Sequence, residues 1–214
     1  MKSAEELHEN VPPDWYYQSI KRNPLQRYWH NRRFEEVGKL IEKSDSQILD
    51  IGCADGVFTK VILDKSGAKK IIGIDVLKSS VDWANKHWKR NKRLTFRVGN
   101  AHDLKFKSNT FDAVFALEVL EHVHEPMKVF KEVKRVLKKG GYFVTLVPSD
   151  NLLFRIIWWF VTKFAWARIW DDCHIQSFNA KNTLADNLSK AGFEVEVDKK
   201  FILGMLNVVK VRKD

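Results

Sequence analysis

The chain has 214 residues, 44% hydrophobic and 30% charged, which excludes a disordered polymer and leaves room for a substantial core. No run approaches the roughly 20 apolar residues that span a bilayer, and the N-terminus lacks the apolar stretch of a signal peptide, so a cytosolic protein is expected. The formal charge of +10 permits RNA, an anionic membrane surface or an anionic substrate as partner, and the two cysteines, Cys53 and Cys173, stand in no metal-ligand spacing and read as free thiols.

Pro12-Pro13 and Pro24 punctuate the first 43 residues, where each breaks or starts a helix. From Pro24 to Ser44, Leu25, Tyr28, Trp29, Phe34, Val37, Leu40 and Ile41 recur at three-to-four spacing, with Arg27, Arg32, Arg33, Lys39 and Lys43 off that face. Trp15, Tyr16 and Tyr17 cluster just upstream. Two readings stay open: a helix packed on the sheet edge, or a flap that carries aromatic side chains to the mouth of a site.

Ile48-Leu49-Asp50-Ile51 is a short apolar run of the kind that suits a buried strand, and Gly52 and Gly56 follow it before a helix from about Val57 to Lys65. Gly67 reads as its C-cap. Lys70–Asp75 is a second strand that ends in an acid, and a helix from about Ser79 to Arg90 carries Trp83 and Trp88. Leu94–Val98 is a third strand, followed by the loop Gly99-Asn100-Ala101-His102-Asp103. Phe111–Leu117 is a fourth, a helix from about Pro126 to Leu137 ends at Gly140-Gly141, and Tyr142–Val147 is a fifth. A helix near 181–190 precedes strands at Phe193–Phe201 and Leu206–Arg212, whose short link favours an antiparallel pair. Strands alternating with helices at this spacing predict an α/β, Rossmann-like doubly wound sheet.

The glycine turn invites a dinucleotide, but that fingerprint needs G-x-G-x-x-G, and Ala54 and Val57 occupy the second and third glycine positions. A smaller polar group, such as an amino acid's carboxylate and ammonium, still fits against Gly52 and Gly56. Asp75 stands about 20 residues beyond the turn, where an acid accepts both ribose hydroxyls. Val76 suits one face of an adenine, and Asn100 and His102 suit its far end. An amino acid, a ribose and an adenine together make S-adenosylmethionine.

These stretches carry a resemblance. Leu49–Gly56, Gly73–Val76, Gly99–Leu104, Phe111–Val114 with Leu117–His122, Arg135–Gly141, and His174–Phe178 with Ala191–Phe193 resemble, in this order, class I S-adenosylmethionine-dependent methyltransferases, in the broad group that includes the ubiquinone and menaquinone biosynthesis methyltransferases. The resemblance implies the strand order 3-2-1-4-5-7-6, strand 7 antiparallel, with N-terminal helices and a helical cap after strand 5. It also implies S-adenosyl-L-methionine as cofactor, held by Asp50, Gly52, Cys53, Ala54, Gly56, Asp75, Val76, Asn100, Ala101, His102, Leu117 and Glu118. Ala54 departs from the family's middle glycine and Asn100 from its usual acid; the Asn100 amide can still pair with the adenine edge. On this reading residues 1–214 form one methyltransferase domain: a helical flap to 44, a cofactor-binding core over 45–150, an aromatic cap over 151–178, and a C-terminal helix and strands over 179–214.

Methyl transfer from a sulfonium depends mainly on positioning, and a base is needed only where the nucleophile must lose a proton. His174, His122 and Glu121 are the candidate catalytic residues, with Glu118 and His124 nearby. Residues 152–170 are rich in tryptophan, with Arg155 and Lys163 on one side at helical spacing. They read as a lid packed on the domain or as an interfacial helix at an anionic membrane, and an apolar, lipid-like or prenylated small-molecule acceptor suits both. The alternatives are an RNA methyltransferase, which the charge allows, and a non-catalytic cofactor-binding module. Against the RNA reading, no Asn-Pro-Pro-aromatic motif and no cysteine nucleophile follow the fourth strand.

Overall fold

The computed structural model describes residues 6, 11–43, 46–164, 178 and 183–214, with residues 161, 162 and 164 described in backbone only. Two helices come first, α1 (Trp15–Arg22) and α2 (Pro24–Gly38). The core then alternates: β1 (Gln47–Ile51), α3 (Val57–Ser66), β2 (Lys70–Asp75), α4 (Lys78–His87), β3 (Leu94–Val98), β4 (Phe111–Leu117), a 3-10 turn at Leu120–His122, α5 (Pro126–Val136) and β5 (Leu137–Pro148). After β5 come α6 (Leu152–Phe164), α7 (Leu184–Lys190), β6 (Glu194–Phe201) and β7 (Leu206–Arg212).

The seven strands are ordered β3-β2-β1-β4-β5-β7-β6. β1 to β5 pair in parallel, and β7 runs antiparallel to both β5 and β6. Side chains alternate across the sheet, so each strand feeds two cores. Ile48, Ile71, Ala113, Phe115 and Val144 pack with Val37 of α2, Ile62 and Leu63 of α3 and Val81 of α4. Leu49, Ile51, Ile72, Val114 and Phe143 pack on the other face with Val129, Phe130 and Val133 of α5 and Leu184 and Leu188 of α7. Burial on both faces is why these strands read as apolar runs rather than as alternating ones.

The strand order reverses between β1 and β4, which opens a crevice at the C-terminal ends of these strands. The helix expected from Pro24 to Ser44 stops at Gly38. Its start is fixed by Asn23, whose side chain accepts from the Leu25 and Gln26 amides at 3.0 and 3.2 Å. Its end is held by the ion pair of buried Glu36 with Lys199 of β6 at 2.6 Å, beyond which the chain turns towards β1. β5 begins earlier than expected, because Leu137 already pairs with Phe111 before the Gly140-Gly141 kink. Among the described residues no helix is long and apolar enough to cross a membrane.

Candidate active site

The glycine turn is shaped by backbone conformation and crowding together. Gly52, Ala54 and Gly56 all have positive φ, at 71°, 43° and 78°. A Cβ at Gly52 would collide with the Val119 side chain, and one at Gly56 would come within 2.6 Å of Phe96 and 2.8 Å of the Trp88 indole nitrogen. The Gly52 and Cys53 amides both donate to the Ile74 carbonyl, at 2.8 and 3.0 Å, which ties the turn to the end of β2. There the Asp75 carboxylate accepts from the Ala54 amide and the Leu77 amide, each at 2.9 Å. A carboxylate has about four acceptor positions, more than these two backbone donors occupy.

Above the turn lies a cavity of about 300 Å³. Its floor and sides come from Gly52, Ala54, Asp75, Val76, Asn100, Ala101, His102, Glu118 and His122, so the four strand ends β1 to β4 converge on it. Its roof is Pro12, Pro13, Trp15 and Tyr16 from the N-terminal segment. Asp55 fastens that roof: its carboxylate accepts from the Tyr17 amide at 2.7 Å, and burial pushes its pKa up to about 6. On the third-strand loop, the Asn100 side-chain oxygen accepts from the His102 amide at 2.9 Å, and burial lowers the His102 pKa.

Four expected cofactor contacts do not line this cavity. Asp50 is buried behind the turn, accepts from the Thr59 hydroxyl at 2.6 Å, and is pushed up to about 7 by burial. The Cys53 side chain packs towards Gly73, Leu117 joins the core, and Gly56 precedes α3 as its N-cap.

A second cavity of about 450 Å³ adjoins the first. The two share Trp15, Tyr16, Glu118 and His122. The second is walled largely by apolar and aromatic groups, among them Tyr28, Trp29, Phe154, Ile157, Trp158 and Met205. Phe154 and Trp158 stack at 5.6 Å between ring centres.

The wall between the cavities holds a charge cluster that the sequence pattern hid. Arg33, expected on the outer side of α2, is 2% exposed and forms an ion pair with Glu118. Its guanidinium also contacts Nδ1 of His30 and lies 5.3 Å from the Phe58 ring. Glu118 itself sits at a φ of 59°, unusual for a side chain of its size, with its amide donating to the Leu146 carbonyl at 2.8 Å. Burial and the Arg33 charge push the His30 pKa down to about 2, so that imidazole stays neutral. Trp15 and Tyr16 were the readable signal for the flap; Arg33 and His30 had none.

Glu121 lines the second cavity, while His122 lines both. Oε2 of Glu121 is buried without a hydrogen-bond partner among the described residues. Burial pushes the Glu121 carboxyl up to about 8, with Arg33 pulling the other way. The ordinary glutamate value is about 4.3, so between pH 7 and 8 the folded chain holds a proton that the unfolded chain has lost. Stability therefore falls as pH rises through that window, by about 1 kcal/mol from this group. Thermal melts at pH 7 and pH 8 should show a smaller decline for Glu121→Gln than for the wild type; equal declines would place the Glu121 proton elsewhere. His174 lies outside the described residues.

Comparisons with known proteins agree with this geometry. A family model described as Methyltransferase domain matches residues 49–145. An uncharacterized protein of Methanocaldococcus jannaschii is 30% identical over 158 residues, which is 72% of this chain and 64% of that one. A ubiquinone biosynthesis O-methyltransferase of Coxiella burnetii is 27% identical over 140 residues, 64% of this chain and 58% of that one. The chain spans between 27% and 64% of the length of the first curated relatives it matches. Among solved structures, the PH0226 protein of Pyrococcus horikoshii shares the fold at a TM-score of 0.75 and 23% identity, covering 98% of this chain and 99% of that one. The matched domain, the strand order and the crevice lined by Gly52, Asp75 and Asn100 lead to one conclusion: residues 49–145 form a methyltransferase domain of the class I S-adenosylmethionine-dependent kind.

Proposed function

We propose that the chain methylates a small, apolar acceptor held in the second cavity. The observation that carries this is the shared wall: a cavity suited to the cofactor opens beside a larger aromatic one, and Glu118 and His122 face both. The residues of the first cavity fit S-adenosylmethionine. Asp75 suits the ribose diol, Val76 and Ala101 offer apolar surface to a flat base, and the Gly52–Ala54 turn lines the place for the amino acid end. When bound, the cofactor supplies a methyl group already activated on a sulfonium.

The chain's own residues then position the acceptor and manage its proton. The aromatic walls bind its apolar body and keep water from the junction. Glu121, protonated at neutral pH, offers a hydrogen-bond donor to an acceptor oxygen. His30 cannot serve as a base, because its Nδ1 faces the Arg33 guanidinium. Glu118 is committed to Arg33, so His122, at the junction, is the proposed proton acceptor for an acidic hydroxyl. His174 stays a second candidate. The Coxiella relative is named for ubiquinone biosynthesis, an acceptor class that suits such a cavity.

The test is to incubate the purified protein with S-adenosylmethionine tritiated in its methyl group, together with a total lipid extract and, separately, with transfer RNA. Label should pass to an organic-soluble product, and His122→Ala should reduce its rate at least about 100-fold, the lower end of the usual range for loss of a general base. Label in RNA and none in the organic phase would overturn the acceptor assignment.

A further inference from the structure

α6 is apolar on two opposite sides. At 100° per residue, Phe154, Ile157 and Trp158 fall on one side, and these three line the second cavity. Leu152, Leu153, Ile156, Trp159 and Phe160 fall on the other, with Lys163 among them in the last turn, and all five apolar residues are exposed, Leu152 to 73%. A water-facing helix side normally carries charge, so a stripe of this kind asks for a partner.

Two further elements extend the stripe around the same cavity. Leu25 (72% exposed) and Tyr28 of α2 line the cavity and also face outward. Leu203 (81% exposed), in the β6–β7 turn, follows the cavity-lining Ile202, and its carbonyl accepts from Asn151 at the start of α6. Segments far apart in sequence thus place exposed apolar side chains at one cavity mouth.

The exposed charge on the two helical segments that flank this mouth has one sign. Trp15–Phe34 contains no aspartate or glutamate and carries Lys21, Arg22 and Arg27, while its Arg32 and Arg33 pair with Glu35 and Glu118. Leu152–Phe164 carries Arg155 and Lys163, again with no acid. Lys21, Arg22, Arg27, Arg155 and Lys163 are exposed. Large apolar side chains flanked by basic ones suit the interface of a bilayer with anionic headgroups.

We propose that the outer side of α6, with Leu25, Tyr28 and Leu203, docks on an anionic lipid bilayer, so that the second cavity opens towards the membrane. This rests on the acceptor reading above and adds a source for it: an apolar acceptor passes from lipid into the cavity without crossing water.

Flotation with vesicles tests the proposal, using phosphatidylglycerol mixed with phosphatidylcholine and, in parallel, phosphatidylcholine alone. The wild type should bind the anionic vesicles at least 10-fold more tightly than the neutral ones. Ile156→Glu with Trp159→Glu should abolish most of that binding. Lys107→Glu, which makes the same change in net charge on an exposed loop at the opposite end of the sheet, should not. Unchanged S-adenosylmethionine affinity by calorimetry shows that the double variant is folded. Vesicle binding by the double variant equal to the wild type, or equal loss in Lys107→Glu, would overturn the proposal. A wild type that dimerises through this face in sedimentation and ignores vesicles would also overturn it, in favour of a second copy as occupant. Methylation of a detergent-solubilised acceptor, without vesicle binding, would remove the docking surface and leave the proposed activity standing.

Discussion

Asp75→Ala is expected to weaken S-adenosylmethionine binding by roughly 100-fold or more, read by calorimetry on the purified chain. The carboxylate stands at the C-terminal end of β2, on the cavity floor, and two backbone amides already fix its direction. A ribose diol bound there would make hydrogen bonds to a charged acceptor, each typically about 1.5–3 kcal/mol, and two of these lost correspond to at least 100-fold in affinity. Asp75→Asn separates the contributions: it keeps one oxygen for the turn but loses the charge, and an intermediate affinity is expected. If Asp75→Ala bound as tightly as the wild type while keeping its far-ultraviolet circular dichroism, the ribose would have to lie elsewhere.

The second large effect belongs to Arg33. Arg33→Met keeps an unbranched chain against Phe58 but leaves Glu118 in the cavity wall without its cation. Removing one member of a buried ion pair commonly costs about 3–5 kcal/mol, because the remaining charge is stranded. For a chain of this length that corresponds to a fall of roughly 10 °C in melting temperature. Adding Glu118→Gln to Arg33→Met should restore most of the loss, since the stranded charge is then gone as well. A melting temperature within a degree or two of the wild type for Arg33→Met would show that the pair contributes little to stability.

The same residue marks the boundary of what sequence reading reaches. β1, β2 and β4 were legible because strands buried on both faces must be runs of β-branched and other apolar residues, as in Ile48–Ile51 and Ala113–Leu117. The crevice was legible because Gly52 and Asp75 sit at strand ends at a telling distance apart. Arg33 was assigned to the outside of its helix by spacing alone. It is buried because Glu118, on a different element, comes to meet it, and no local pattern carries that information. Leu25 and Tyr28 fail in the opposite direction: both belong to an apolar stripe, yet the stripe ends at a cavity mouth and they face outward. Helical periodicity reports which side is apolar, not what lies beyond it. The second cavity, as distinct from the cofactor crevice, was readable only as a place, the N-terminal flap and the aromatic cap, and not as a shape, since it arises where α2, α6 and the β6–β7 turn meet.

Trp15 and Tyr16 form part of the roof over the first cavity and part of the wall of the second. One segment therefore completes both compartments, and the Tyr17 amide bond to Asp55 locks it beside the glycine turn. This has a kinetic consequence. While the segment is seated, the acceptor compartment is formed and the crevice beneath is partly roofed. For the proposed methyl transfer a sequential order is expected, with cofactor entering first and its demethylated product leaving last. Product inhibition should then be competitive between the two forms of the cofactor and mixed against the acceptor.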